Sequence, residues 1–196
     1  VPAAPDITQP PSFRQQLRGF LHVRKAPPGR WRFALRAGFC MGTPILAGWL
    51  AGDVAAGMMA ATGGFTALYG SDRPYANRAR ELAAIALAFA LAVGLGMAAT
   101  AHGPVAVVLV VALIAMVATW MGNAFQIGPP GAYMFLLACA AASGMGRPPA
   151  DALPSALLVL GGGAFAWCVH MLGALFDPRG PEKAAVQRAG DHLVAY

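Results

Sequence analysis

Acidic residues are scarce in this chain. Only eight Asp and Glu occur among 196 residues, and each lies outside the long apolar runs or at their ends. No carboxylate pair is therefore available inside such a run for acid/base work or a proton relay. Charged residues of both signs make up only 11% of the sequence, against about 25% in a typical soluble domain. The three cysteines, Cys40, Cys139 and Cys168, are odd in number, lack CxxC spacing and sit in apolar runs, so they read as small packing residues rather than a disulfide or metal set. The four histidines are scattered. His170, near the end of the last apolar run, reads as a packed or interfacial side chain, with a proton-handling group as the alternative.

The motifs of common enzymes are missing as well. The sequence holds no GxxxxGK[ST], GxSxG or HExxH, and no GxGxxG behind a strand. No catalytic residue, cofactor or metal ligand is expected. The expectation is a protein that is not an enzyme.

What the chain has instead is apolar sequence, 58% of residues, with a mean hydropathy of +0.57. Six segments stand out: 33–50, 54–69, 82–101, 105–121, 124–145 and 153–176. About 20 residues cross a hydrocarbon core as a helix, so several are marginal in length. Their connections are short, around Asp53, at 101–104 and at 146–151, which makes sequence neighbours antiparallel neighbours in space. The predicted fold class is an all-α membrane protein, a six-transmembrane-helix bundle.

The net charge of +6 raises nucleic acid as a partner, but the placement of the basic residues argues otherwise. With both termini on one side, that side receives 13 of the 14 Lys and Arg, and the other receives only Arg147. This is the positive-inside pattern of a protein with both ends in the cytoplasm. The partners expected are the lipid bilayer and no nucleic acid.

Residues 1–30 read as a cytoplasmic N-terminal segment. Ser12 can cap a short helix whose Phe13, Leu17, Phe20 and Leu21 share one face, lying on the membrane interface, though a plain linker fits equally. Residues 31–177 form the transmembrane domain. Residues 178–196 read as a cytoplasmic helical tail that starts a longer region, and the missing initiator Met likewise points to part of a longer protein.

The spans are rich in Gly and Ala. Gly38 and Gly42, then Gly48 and Gly52, show GxxxG spacing, with Gly57, Gly63 and Gly64 in the second span and Gly161, Gly162 and Gly163 in the last. In lipid such residues let helix backbones approach closely. The fifth segment is broken early by Pro129, Pro130 and flanking glycines. The plainer reading makes residues 122–131 an ordinary cytoplasmic loop, and the alternative is a discontinuous helix of the kind that marks a transport site.

Basic and polar residues collect at the cytoplasmic ends. Arg36 is the deepest and must snorkel, pair or line a cavity. Arg73, Arg78 and Arg80 flank the loop between the second and third spans, and Arg78 can pair with Glu81 one turn on. Guanidinium groups bind carboxylates through two parallel hydrogen bonds, so a cluster at a pore mouth would gather organic anions. Tyr69 and Tyr75 beside it could stack on a flat ring. Asn123 and Gln126, at the break before the fifth span, complete the candidate pore set.

The stretches "WRFALRAGFCMGTPILAGWLAG", "GGFTALYGSDRPYANRARELAAIALAFALAVGLG" and "GPPGAYMFLLACAAASGM" resemble the fusaric acid resistance protein-like (FUSC) family of bacterial inner-membrane proteins, related to the aromatic acid exporters. The matching motifs are mostly small residues with Pro and Arg. The resemblance implies a six-helix unit in the cytoplasmic (inner) membrane that exports aromatic or other weak organic acids. It further implies a homodimer or a second six-helix unit. Arg36, Arg73, Arg78 and Arg80 would then be the basic residues along the anion path. The alternative is a non-transporting membrane scaffold or assembly subunit of an envelope-biosynthesis complex, with an accessory envelope protein as partner.

Overall fold

A computed structural model describes residues 30–70, 74–126, 128 and 130–176. All regular structure among these residues is helical. α1 runs Arg30–Leu50, α2 Val54–Gly64, α3 Tyr75–Ala99, α4 Pro104–Ala124, α5 Tyr133–Gly144 and α6 Ala152–Phe176. Short 3-10 turns extend α2 through Phe65–Leu68, follow α3 at Thr100–His102, and precede α6 at Pro149–Asp151. The interfacial helix expected before residue 30 and the tail expected after residue 177 lie outside the described residues, as does Arg73.

The helix ends follow from local chemistry. Asp53 caps α2, its carboxylate accepting from the Ala56 N–H at 2.8 Å. Gly103, at φ 88°, turns the chain into Pro104, which opens α4 where a missing N–H costs nothing. Pro44 sits inside α1 and cannot supply the N–H that the Cys40 carbonyl would accept in a regular helix.

Four helical stretches are long and apolar enough to cross a membrane: 30–50, 75–102, 104–124 and 149–174. α2 with its 3-10 extension and α5 are shorter apolar helices. At 1.5 Å per residue, the 12 residues of α5 rise about 18 Å against a hydrocarbon core of about 30 Å. The expected fifth segment, 124–145, is thus only partly helical. Its first part holds the end of α4 and then turn residues, among them 125–126 and 130–132, and a proline such as Pro130 has no N–H to give to a helix.

The chain divides into two compact units, Val1–Phe33 and Ala34–Tyr196. Within the first, the Arg32 guanidinium lies 5.5 Å from the Trp31 ring centre. The second is organised around α3 and α6, which pack together extensively; α2 packs on α6, and α5 on α3 and α4. Its core includes Met59, Leu82, Phe89, Val93, Met97, Phe135 and Val159.

Glycine makes these contacts close. A Cβ on Gly63 would run into the Val159 carbonyl, and one on Gly162 into the Ala60 carbonyl, so α2 and α6 meet backbone to backbone. A Cβ on Gly48 would fall 2.6 Å from the Gly57 Cα, one on Gly64 2.7 Å from the Cys40 oxygen, and one on Gly96 2.6 Å from the Cys139 oxygen. Gly38, Gly42 and Gly161 have nothing within 4 Å of such a Cβ. The expected GxxxG pair at Gly38 and Gly42 is therefore not used within the chain, because it lies on an exposed face of α1 with Leu35, Phe39 and Leu46.

α4 is the most apolar of the long helices, with a mean hydropathy of 2.6, yet none of its residues is buried. In water that combination would be unstable. In a bilayer it describes a helix whose sides meet hydrocarbon.

Candidate functional site

One end of the helices is built from the last turn of α2, the first turn of α3, the turn before α5 and the last turns of α6. Gly70, at φ 70°, takes a left-handed conformation open to glycine at no steric cost. That turn presents its carbonyl to Arg78, whose Nε donates to it at 2.6 Å. Arg78 is only 5% exposed, and its guanidinium carbon lies 5.0 Å from the Tyr75 ring centre. Tyr75 in turn reaches across to α6, where its hydroxyl would be 2.7 Å from a Cβ on Gly173. Trp167 fastens the same helices together, its indole N–H donating to the Ala79 carbonyl at 2.9 Å.

Arg36, half-buried on the second turn of α1, lies within electrostatic reach of Arg78. His170 on α6 lies within reach of both. Three helices thus bring two guanidiniums and an imidazole to one place. His170 is 2% exposed, with the Ala67 backbone as its nearest hydrogen-bonding group. Two buried hydroxyls, Thr66 on the 3-10 extension of α2 and Ser155 on α6, have no hydrogen-bond partner among the described residues.

The other sequence-derived candidates separate from this cluster. Tyr69 is 2% exposed. Its ring packs against Phe89 and Phe135 at 6.2 and 5.9 Å, and its hydroxyl donates to the Gly131 carbonyl at 2.8 Å. That hydrogen bond ties the end of α2 to the turn before α5, so Tyr69 acts as a structural clamp rather than an open stacking face. Arg80, two residues from Arg78, projects from the opposite side of α3 toward α4. Asn123 and Gln126 are exposed, the Gln126 side-chain amide donating to the Asn123 carbonyl at 2.8 Å, with Gln126 at φ 51°.

A groove of about 710 Å³ runs between α3 and α4. Asn77, Arg80 and Glu81 stand at one end of it, and the remaining walls, such as Leu91, Leu95, Leu113 and Val117, are apolar. Arg36, Tyr69, Asn123 and Gln126 do not line it. Among the described residues no group of three or more His, Cys, Asp or Glu is placed to hold a metal ion.

The sequence names Arg36 and Arg78 as candidates but gives no sign that His170 lies within electrostatic reach of both, since a histidine 134 positions along the chain from Arg36 carries no local signal of that proximity. Thr66 and Ser155 were also missed. The available signal was a polar side chain inside an otherwise apolar run.

No family model matches the chain, and no solved structure does. The chain is 35% identical over 171 residues to a protein of Bacillus subtilis (strain 168) described as the uncharacterized membrane protein YvaC. That alignment takes in 87% of this chain and 27% of the relative, so the chain spans about a quarter of the length of the curated relative it matches. Four long apolar helices and likeness to a membrane protein together make this a multi-pass membrane protein.

Proposed function

We propose that this chain is the membrane unit of an exporter or channel for organic anions, aromatic or other weak acids, of the fusaric acid resistance protein-like type. All six helices cross the bilayer of a bacterial cytoplasmic membrane, with both termini on the cytoplasmic side. The observation that carries this reading is the convergence of Arg36, Arg78 and His170 from α1, α3 and α6 at one helix end. By sequence, 13 of the 14 Lys and Arg fall on the side assigned to both termini, and opposite charge at such a mouth raises the local concentration of an anion.

The backbone contacts at Gly63 and Gly162 close the α2–α6 seam. The path therefore runs along the open face of α1, completed by a second copy or a second six-helix unit. Export of benzoate from proteoliposomes holding the full-length protein tests the reading. Arg36→Gln and Arg78→Gln should each slow it about tenfold, and raised salt should slow the wild type, as screening at a charged mouth requires. Arg147→Gln, on the opposite side, should leave it unchanged. Flux indifferent to both mouth substitutions would sink the proposal.

A second reading, a non-transporting scaffold or assembly subunit of an envelope-biosynthesis complex, is favoured by the large apolar side chains that α4 leaves exposed, such as Val105, Leu109, Met116 and Trp120, and by a groove that does not reach Arg36. It predicts no flux from a folded protein.

A further inference from the structure

The groove between α3 and α4 is independent of the arginine mouth. On α3 its wall is the stripe Arg80, Ala84, Leu87, Leu91 and Leu95, spaced three and four residues apart so that one helix face lines it throughout. Arg80 to Leu95 extends about 22 Å along the axis at 1.5 Å per residue. One leaflet's hydrocarbon is about 15 Å deep, half of a core of about 30 Å. The polar lining, Asn77, Arg80 and Glu81, sits at the end near the start of α3, where Asn77 and Arg80 are exposed and Glu81 is half-buried. The apolar part from Ala84 to Leu95 is about 17 Å long, close to the depth of one leaflet's hydrocarbon.

Its size discriminates between occupants. A volume of about 710 Å³ lies within the range of small-ligand sites. A small anion would find charge only at the rim and nothing polar along the walls.

We infer that this groove is a phospholipid site that opens sideways to the bilayer, one acyl chain lying between α3 and α4 and the phosphate held by Arg80 with the Asn77 amide beside it. Phosphate accepts paired hydrogen bonds from guanidinium, and inside the bilayer the acyl chain is held by van der Waals packing against the groove walls.

Photolabelling tests the site. The full-length protein is reconstituted in phosphatidylethanolamine and phosphatidylglycerol vesicles doped with a phosphatidylglycerol carrying a diazirine in one acyl chain, and labelled peptides are mapped. Labels should concentrate several-fold on residues 84–95 and 113–121 over the α1 face at Leu35, Phe39 and Leu46. Ala88→Trp on one wall and Ile114→Trp on the other should each cut groove labelling at least threefold while α1 labelling stays constant. Arg80→Gln should weaken retention of the probe through detergent extraction. Equal labelling of the α1 and α4 faces, or labelling insensitive to both Trp substitutions in protein that elutes as wild type, overturns the inference. Protein–protein cross-links in place of lipid labels, or oleate displacing the probe better than unlabelled phosphatidylglycerol, would overturn it in favour of a second subunit or a free fatty acid.

Discussion

Arg78 and Tyr69 show how a side chain at a membrane boundary can have a structural duty that its sequence neighbourhood does not display. Arg78 is buried, hydrogen-bonded through Nε to Gly70 and set over Tyr75. Arg78→Lys keeps the charge but loses the planar donor geometry. Since a hydrogen bond from a charged group contributes about 1.5–3 kcal/mol, its melting temperature in detergent should fall almost as far as that of Arg78→Ala. Tyr69→Phe removes only the bond to Gly131, about 0.5–1.5 kcal/mol, and should lower the melting temperature slightly while leaving anion flux intact. A loss of flux at unchanged stability would instead put the Tyr69 phenol in contact with substrate.

At the scale of elements, the glycines fall into two sets that sequence spacing does not distinguish. Gly63 and Gly162 lie where any Cβ meets a backbone carbonyl of the facing helix, whereas Gly38 and Gly42 face open space. Gly63→Ala and Gly162→Ala should each destabilise the protein by roughly 1–3 kcal/mol or more, since an overpacked backbone contact cannot yield as a flexible side chain does. Gly38→Ala and Gly42→Ala should leave the stability of the isolated subunit within about 0.5 kcal/mol of wild type, as substitutions away from packed features usually do. Thermal unfolding of the four variants side by side checks both halves. If α1 meets a second unit in the membrane, the Gly38 and Gly42 changes will reduce cross-linked dimer without altering subunit stability.

For the whole molecule, the charge distribution makes an orientation prediction. In a background lacking Cys40, Cys139 and Cys168, single cysteines at Asp53 and Arg147 should react with an impermeant maleimide added outside spheroplasts. Cysteines at Arg80 and Gln126 should react only after permeabilisation. Reaction of Gln126→Cys from outside would mean that α4 and the short α5 do not complete the six crossings. That experiment bears on the shorter helices α2 and α5, whose lengths alone do not establish a full crossing.

The sequence by itself determined the helical class, the helix boundaries to within a few residues at α1, α2, α4 and α6, and the lopsided charge, because hydropathy, proline and glycine act locally. It also marked the early break in the fifth segment, since two consecutive prolines remove successive N–H donors and strongly disfavour a helix interior there. Only the tertiary structure decided which face of α3 is buried, so that Arg78 lies inside and Arg80 on the groove, that His170 comes within electrostatic reach of Arg36, that Tyr69 is a clamp, and which glycines bear contacts. Those outcomes depend on which helix faces which. A stripe of Ala and Gly can pack either way, so small residues permit close approach without saying which partner will come close.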